Sequence, residues 1–69
     1  MNIIDARGLS CPEPVILTMN AIKSGEKEYK VLVDNHASKE NVTRYAQNNG
    51  YSVDVTKDGE EYTLNLKKD

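Results

Sequence analysis

The chain has 69 residues, fewer than the roughly 100 to 150 of a typical domain, so it has room for one compact core and not for two. It is 38% hydrophobic and 29% charged, a balance that excludes a disordered chain. The longest apolar runs, Val15-Ile16-Leu17 and Val31-Leu32-Val33, are far shorter than the roughly 18 residues that a membrane helix requires. The net charge of −2 argues against nucleic-acid binding, which depends on cationic contacts to phosphates.

Cys11 is the one cysteine of the chain, so neither an internal disulfide, nor a CxxC redox pair, nor a cysteine zinc cluster is possible. A single thiol of this kind is typical of the reducing cytoplasm. The amino-terminal residues MNIID lack the basic and apolar regions of a secretory signal. We therefore expect a cytoplasmic protein that binds no metal and contacts no membrane.

The first part of the chain predicts a strand and a helix. Asn2 to Ala6 is typical of a short strand, and a helix over Pro12 to Ser24 is followed by Gly25 as its stop signal. Pro12 suits the first helical position because its missing N–H would be unpaired there. The apolar residues recur at i, i+4 and i+7 on one predicted face, which consists of Val15, Met19 and Ile22.

A second strand and a second helix follow. Tyr29 to Asp34 is the clearest strand, and its centre, Val31-Leu32-Val33, is typical of a strand that is buried on both faces. A helix fits Ser38 to Asn49, with Ser38 as its N-cap and Gly50 just after its end. The apolar side of this helix is predicted to be Val42, Tyr45 and Ala46.

The remaining residues predict a β-hairpin and complete the fold. Tyr51 to Thr56 and Glu61 to Leu66 alternate with a period of two, and the intervening turn, Lys57 to Glu60, contains Asp-Gly. The order β-α-β-α-β-β combines parallel neighbours with an antiparallel hairpin. We therefore expect an α/β (α+β) two-layer sandwich, with two helices on one face of a four-stranded mixed sheet. Residues 1–69 form a single domain in this prediction, which leaves open a second domain in a longer chain.

Cys11 is the candidate for chemistry because of its place at the start of the first helix. Pro12 biases it toward extended backbone, as an N-cap requires, so we expect the thiol at the positive end of that helix. A helix amino terminus stabilises the nucleophilic thiolate. The Glu13 carboxylate opposes this effect and Arg7 offsets it, so the direction of the thiol pKa shift stays open. The alternative is that Cys11 is a small buried hydrophobe.

The segment Asp5-Ala6-Arg7-Gly8-Leu9-Ser10-Cys11-Pro12-Glu13-Pro14-Val15 resembles the opening of the TusA/SirA-like family. That family is marked by a CPxP motif after a D-x-x-G-x-x lead-in, and its order of strands and helices is the one predicted above. In its TusA branch the motif cysteine takes a sulfane sulfur from a cysteine desulfurase as a persulfide and passes it on. The resemblance implies this role for Cys11 and helix-capping roles for Pro12 and Pro14, with no metal or organic cofactor.

One branch is similar over further segments. Val33-Asp34-Asn35, Glu40-Asn41-Val42 and Asn49-Gly50-Tyr51 resemble the amino-terminal domain of YedF-type proteins, which are associated with selenium metabolism and carry a second, DsrE-like domain. The TusA pattern usually has an Asp-Pro pair after the second strand, where this chain has Asn35-His36-Ala37. The resemblance therefore implies sulfur or selenium handling more firmly than tRNA thiolation. The implied partners are a cysteine desulfurase or other sulfur donor protein and a downstream acceptor protein.

Other residues are candidates for supporting roles. Asp34 ends the second predicted strand and His36 follows it. The carboxyl ends of parallel strands share an edge, so one hypothesis places both residues near Cys11. A Cys–His pair activates a thiol, but an exposed loop histidine and a polar turn residue are the simpler alternatives. Ile16 and Leu17 fall off the main apolar face of the first helix, where they form either a docking patch or a core edge. The dispersed cations, Arg44 among them, are expected to be a solvated surface.

Two other functions stay open at this point. In the first, the chain is a non-catalytic interaction or regulatory domain, and Cys11-Pro12-Glu13-Pro14 is a structural helix cap. In the second it binds RNA, as some similar small α/β sandwiches do, but only fold analogy supports this and the net charge of −2 opposes it. Exposure and acidity of the Cys11 thiol separate a carrier from a structural cap, and a salt-dependent RNA affinity would be required for the third function.

Overall fold

The computed structural model describes residues 2–10 and 12–68, and Cys11 lies outside the described residues. The elements are β1 (Asn2–Asp5), α1 (Glu13–Ile22), β2 (Glu28–Val33), α2 (His36–Asn48), β3 (Ser52–Asp58) and β4 (Glu61–Lys67). This order confirms the predicted β-α-β-α-β-β arrangement. Neither helix within the described ranges is long and apolar enough to cross a membrane.

The four strands form one mixed sheet in the order β1-β2-β4-β3. β1 and β2 are parallel, whereas β4 is antiparallel to both of its neighbours, β2 and β3. The two helices pack against each other and against one face of this sheet. The predicted two-layer α+β sandwich is thus confirmed.

The core lies between the helices and the two central strands, β2 and β4. Val31 pairs with Leu64 and Tyr29 with Leu66, and all four side chains are buried. Burial of one such aliphatic side chain contributes about 1.5 to 3 kcal/mol. Leu32 lies on the opposite face and is only half-buried, so the prediction that β2 is buried on both faces was wrong. The reason is that both helices cover the same face of the sheet.

The core-facing side of α1 differs from the predicted face at one of its three positions. Thr18 is fully buried, and its hydroxyl donates to the Pro14 carbonyl oxygen at 2.9 Å. Met19 is 37% exposed, so its predicted core position was wrong, although Val15 and Ile22 pack against the core as expected. The bond to its own helix satisfies the threonine hydroxyl, and this removes most of the cost of burying it.

A glycine follows each of the two helices, and a third glycine lies in the hairpin turn. Gly25 and Gly50 adopt φ of +78° and +86°, and their N–H groups donate to the carbonyls of Ile22 and Gln47, which confirms the predicted helix ends. In the hairpin, Asp58 pairs with Glu61, so the turn is Gly59-Glu60. Gly59 has φ of +64°, which suits the first central position of a two-residue turn.

The N-cap of α2 is Asn35, and the predicted cap, Ser38, was wrong. Asn35 has extended backbone, with φ −151° and ψ 158°, and its Oδ1 accepts from the N–H of Ser38 at 2.8 Å. The helix therefore begins at His36, one residue after Asn35. Ser38 is buried inside the first turn, and its hydroxyl has no hydrogen-bond partner among the described residues.

We predict opposite effects on stability for two substitutions at this helix start. Asn35→Ala removes the cap and should lower the free energy of unfolding by about 1 kcal/mol. Ser38→Ala removes a buried hydroxyl that makes no bond, so it should leave that free energy unchanged or raise it slightly. Urea denaturation followed by circular dichroism measures both. A loss in Ser38→Ala as large as that in Asn35→Ala would contradict this assignment of the cap.

Candidate functional site

The loop that joins β1 to α1 carries the Cys-Pro-Glu-Pro motif and is fastened to the end of β2. The N–H of Ala6 donates to the Leu32 carbonyl at 2.8 Å, which extends the parallel pairing by one residue. The N–H of Gly8, which has φ of +79°, then donates to Oδ2 of Asp34 at 2.7 Å. A short bond of this kind to a charged acceptor is among the stronger hydrogen bonds in proteins. Asp34 therefore fixes the loop three residues before Cys11.

Arg7 is engaged by two carboxylates in the same loop. Its Nε and Nη2 donate to Asp5 Oδ1 and Oδ2 at 2.9 and 2.8 Å, and its Nη1 donates to Glu61 Oε1 at 3.3 Å. The side-chain hydrogen bond from Arg7 lowers the pKa of the Asp5 carboxyl from 3.8 to about 2, and the carboxylates raise the pKa of Arg7 in turn. Arg7 thus ties β1 to β4 at this edge, and its predicted influence on Cys11 stays a prediction.

The motif itself forms the start of α1. The N-cap is Pro12, with φ −99° and ψ 14°, so the prediction that Cys11 is the N-cap was wrong by one residue. The N–H of Glu13 donates to the Ser10 carbonyl at 2.9 Å, which closes a turn across the motif, and the first helical bond runs from Ile16 to the Pro12 carbonyl. That turn shifts the start of the helix one residue further along the chain.

Pro14 and Glu13 have different environments in the first turn. Pro14 is buried, whereas the Glu13 side chain is exposed at the amino end of the helix. Pro12 and Pro14 have no N–H group, and the N–H of Glu13 donates to the Ser10 carbonyl. Among the first three helical residues, the other backbone N–H is therefore that of Val15. The carboxylate of Glu13 interacts favourably with the positive end of α1.

His36 is the first residue of α2 and points along its surface. Its Nε2 lies 3.2 Å from Oε1 of Glu40, one turn along the helix, and its side chain is 67% exposed. The residue is therefore on a helix and not in the loop that the simpler sequence interpretation placed it in. Because Cys11 lies outside the described residues, its predicted pairing with His36 stays a prediction.

A groove between α1 and α2 is the part of this region that sequence reasoning missed. It has a volume of about 350 Å³ and opens beside the motif; its lining residues are Pro12, Val15, Asn41, Arg44, Tyr45 and Asn48. The four residues of α2 recur at i, i+3, i+4 and i+7, the spacing of one helix face. That spacing is the one feature of the sequence that could have indicated the groove. A helix face of mostly polar residues is, however, typical of ordinary solvent-exposed surface.

The outer side of α1 is apolar and exposed. Ile16 is 45% exposed, and Leu17 and Met19 are each 37% exposed. Of the alternatives left open for Ile16 and Leu17, these exposures disfavour a core edge, and Met19 is exposed on the same helix. The three residues, which we name the α1 patch, lie within two turns of Pro12 along the helix.

Comparison with known proteins gives a consistent result over the whole chain. Residues 2–68 match the family model described as sulfurtransferase TusA. A protein of Methanocaldococcus jannaschii, whose name describes it as a candidate sulfur carrier, is 36% identical over 72 aligned residues that cover 99% of this chain and 95% of the relative. The crystal structure of a SirA-like protein from Desulfitobacterium hafniense is 35% identical and superposes with a TM-score of 0.86, covering 97% of this chain and 96% of the other.

We predict that the Asp5 carboxyl titrates with a pKa of about 2 and that Arg7→Gln returns this pKa toward 3.8. The folded-state pKa lies below that of the unfolded chain, so the ionised pair stabilises the fold above about pH 4, and this contribution is lost as the pH falls toward 2. Carbon-13 NMR of the side-chain carboxyl measures the titration. Arg44→Gln is the matched control and should leave it unchanged. An equal shift in both variants would refute the assignment to Arg7.

We also predict that Asp34→Ala frees the loop before the motif. The N–H of Gly8 loses its charged acceptor, so its amide hydrogen should exchange with solvent several-fold faster. Asp54→Ala removes an exposed carboxylate from β3 with the same change in net charge and should leave Gly8 unaffected. Protection of Gly8 that survives in Asp34→Ala would show that another group holds the loop.

Proposed function

Because this chain belongs to the TusA family of sulfur carriers, we propose that it takes up sulfur as a persulfide on Cys11 and delivers it to a partner protein. The observation that carries the proposal is the placement of Pro12, Glu13 and Pro14 at the amino end of α1, after a loop that Asp34 holds at the end of β2. Sulfur carriers work with donor and acceptor proteins, and a domain this small supplies them with a docking surface rather than a deep substrate pocket.

The reaction is a transfer of sulfur between thiolates. The Cys11 thiolate attacks the terminal sulfur of a donor persulfide, and a new S–S bond forms as the donor's own S–S bond breaks. The donor cysteine leaves as a thiolate, and the terminal sulfur keeps the proton that it carried in the donor persulfide. An acceptor thiolate then attacks that sulfur, and Cys11 leaves as a thiolate again. Each exchange conserves charge and electrons, so it requires no added oxidant, reductant or cofactor.

Electrostatics at the motif acts on the thiolate in both directions. The amino end of α1 carries a partial positive charge that lowers the pKa of a thiol placed beside it. A carboxylate beside a thiol acts in the opposite direction, and Glu13 is the exposed acidic residue in the first turn of α1. The carboxylates of Asp34 and Asp5 stand at the same edge of the sheet. In this proposal Arg7 acts by neutralising part of that acidic edge through Asp5 and Glu61.

The N-cap of α1 concerns the alternative in which the motif is structural. α1 begins at Glu13 with Pro12 as its N-cap, and no side-chain capping bond is found among the described residues. Two prolines at a helix start restrict the local backbone whether or not the neighbouring thiol reacts. An interaction or regulatory domain in which Cys11-Pro12-Glu13-Pro14 is a structural helix cap is therefore separated from a carrier by the reactivity of the Cys11 thiol.

The α1 patch is the proposed contact with the sulfur donor. Ile16, Leu17 and Met19 are exposed apolar residues on the helix that the motif begins, and exposed apolar groups of this kind mark interaction surfaces when they cluster. A partner seated there lies beside the motif. The proposed donor is a cysteine desulfurase. Selenium is an alternative cargo, because it undergoes the same exchange and because the sequence resembles that of YedF-type proteins.

The test is intact mass after incubation of the reduced protein with a cysteine desulfurase and free cysteine. We expect a gain of one sulfur atom that a reductant removes and that Cys11→Ser lacks. Ser is close to Cys in size, so this variant keeps the fold, which circular dichroism checks. A parallel sample with selenocysteine as the substrate tests for a gain of one selenium atom.

Two further measurements make a negative result informative. The rate of Cys11 alkylation by iodoacetamide between pH 5 and 10 reports the thiol pKa. A slow-reacting Cys11 with no sulfur gain from the desulfurase, and none from a low-molecular-weight persulfide, would refute the carrier role. Sulfur gain from the small persulfide alone would retain that role and exclude the desulfurase as the donor.

A further inference from the structure

The groove between α1 and α2 differs from the α1 patch in its chemistry. On one side it is lined by the apolar residues Pro12 and Val15, and on the α2 side it is lined by Asn41, Arg44, Tyr45 and Asn48. No carboxylate lines it among the described residues. In a chain with a net charge of −2, this is a place where the local charge is positive.

Arg44 is the source of that charge, and its bonding leaves the charge uncompensated. The chain has two arginines, and Arg7 is bound by two carboxylates. Arg44 is exposed and donates from Nη2 to the side-chain oxygen of Asn41 at 2.8 Å, an acceptor without charge. No carboxylate forms an ion pair with Arg44 within the described part of the chain.

The acidic residues of the two helices that form the groove do not fill this role. Glu40 stands one helical turn before Arg44, but its carboxylate is directed to His36 at 3.2 Å. Glu13 begins α1 and does not line the groove. The bond to Asn41 holds the guanidinium in place, and a pre-oriented guanidinium loses less freedom when it binds a carboxylate through two parallel hydrogen bonds.

We propose that this groove binds an acidic side chain, Asp or Glu, from a segment of the partner protein that exchanges sulfur with Cys11. The carboxylate pairs with Arg44, and apolar atoms of the same segment lie on Pro12 and Val15. Because Pro12 follows Cys11 directly in the chain, a segment held here lies next to the proposed sulfur site. The identity of the partner rests on the proposed function, but the binding chemistry does not.

The experiment measures binding directly and requires no sulfur transfer. The probe is the acetylated, amidated peptide Leu-Glu-Leu-Glu-Leu, titrated into the reduced, nitrogen-15-labelled protein at low salt. We expect saturable NMR shift changes at the groove residues of α2, including the Arg44 side chain. The matched peptide Leu-Gln-Leu-Gln-Leu should bind at least about tenfold more weakly, as expected when a charge-assisted pair is lost.

Variants locate the effect. Arg44→Gln should weaken binding of the acidic peptide at least about tenfold and leave binding of the glutamine peptide unchanged. Lys23→Gln is the matched control, since it removes one exposed cation just after the other end of α1, and it should bind as the unmodified protein does. Both positions are exposed, so both variants should fold. Raising the salt from 0.05 to 0.5 M should reduce the difference between the two peptides.

Three results would overturn the proposal. These are equal binding of the two peptides, shift changes confined to the α1 patch, and sodium sulfate alone producing the same saturable shifts, which would identify a site for small anions. The proposed function is tested by a separate measurement, intact mass, in which its failure appears as the absence of a sulfur gain on Cys11. If the protein gains sulfur on Cys11 but binds the two peptides equally, the carrier role is retained and the docking proposal is refuted.

Discussion

The parallel pairing of β1 with β2 is the constraint on which the site depends. Each of these strands is followed by a helix, so both helices begin at the edge where the two strands end. Gly8 and Asp34 belong to the two connections, and their bond of 2.7 Å is possible only because parallel strands bring those connections together. A one-residue slip of β1 in this register would separate the motif loop from Asp34 and turn Ile4 away from the core.

The same topology determines the charge at that edge. Asp5 ends β1, Asp34 follows β2, and Glu61 begins β4, which runs in the opposite direction. Three carboxylates therefore gather at the edge where two helices present their positive amino ends. Arg7 binds two of them and the N–H of Gly8 binds the third. Each carboxylate thus has a hydrogen-bond donor of its own at this edge. The partial positive charge at the amino end of α1 is therefore not neutralised by a bond to any of these three carboxylates.

The sequence predicted the architecture because period and punctuation are strong local signals. The alternation in β4 and the glycines after each helix fixed the elements to within a few residues, and Gly25 and Gly50 have the positive φ that their position requires. Both helix starts were misplaced for a common reason. An N-cap is decided by which side chain or carbonyl reaches a nearby N–H, so Asn35 rather than Ser38 caps α2, and the Ser10 carbonyl moves the start of α1 past Cys11.

Residues that depend on the packing of two helices were beyond prediction from local pattern. From sequence, Thr18 is predicted to flank the apolar face of α1, but in the structure it is buried and its hydroxyl donates to the Pro14 carbonyl. Met19 is predicted to lie in the core, but in the structure it is exposed. Arg44 is one of several cations in the sequence, and only the approach of α1 to α2 makes it part of a groove. Such positions are defined by tertiary contacts, which no periodicity along one helix reveals.

A relay of sulfur requires contacts that form readily and separate again. Transient protein interfaces are small, and charge complementarity raises their rate of association more than their lifetime. The α1 patch consists of exposed apolar side chains, and Arg44 lines the groove beside Pro12. In the proposed function, a contact that combines this guanidinium with a few half-exposed apolar side chains is weak enough to release a donor. In the same proposal, the contact is specific enough to direct the donor's sulfur to Cys11.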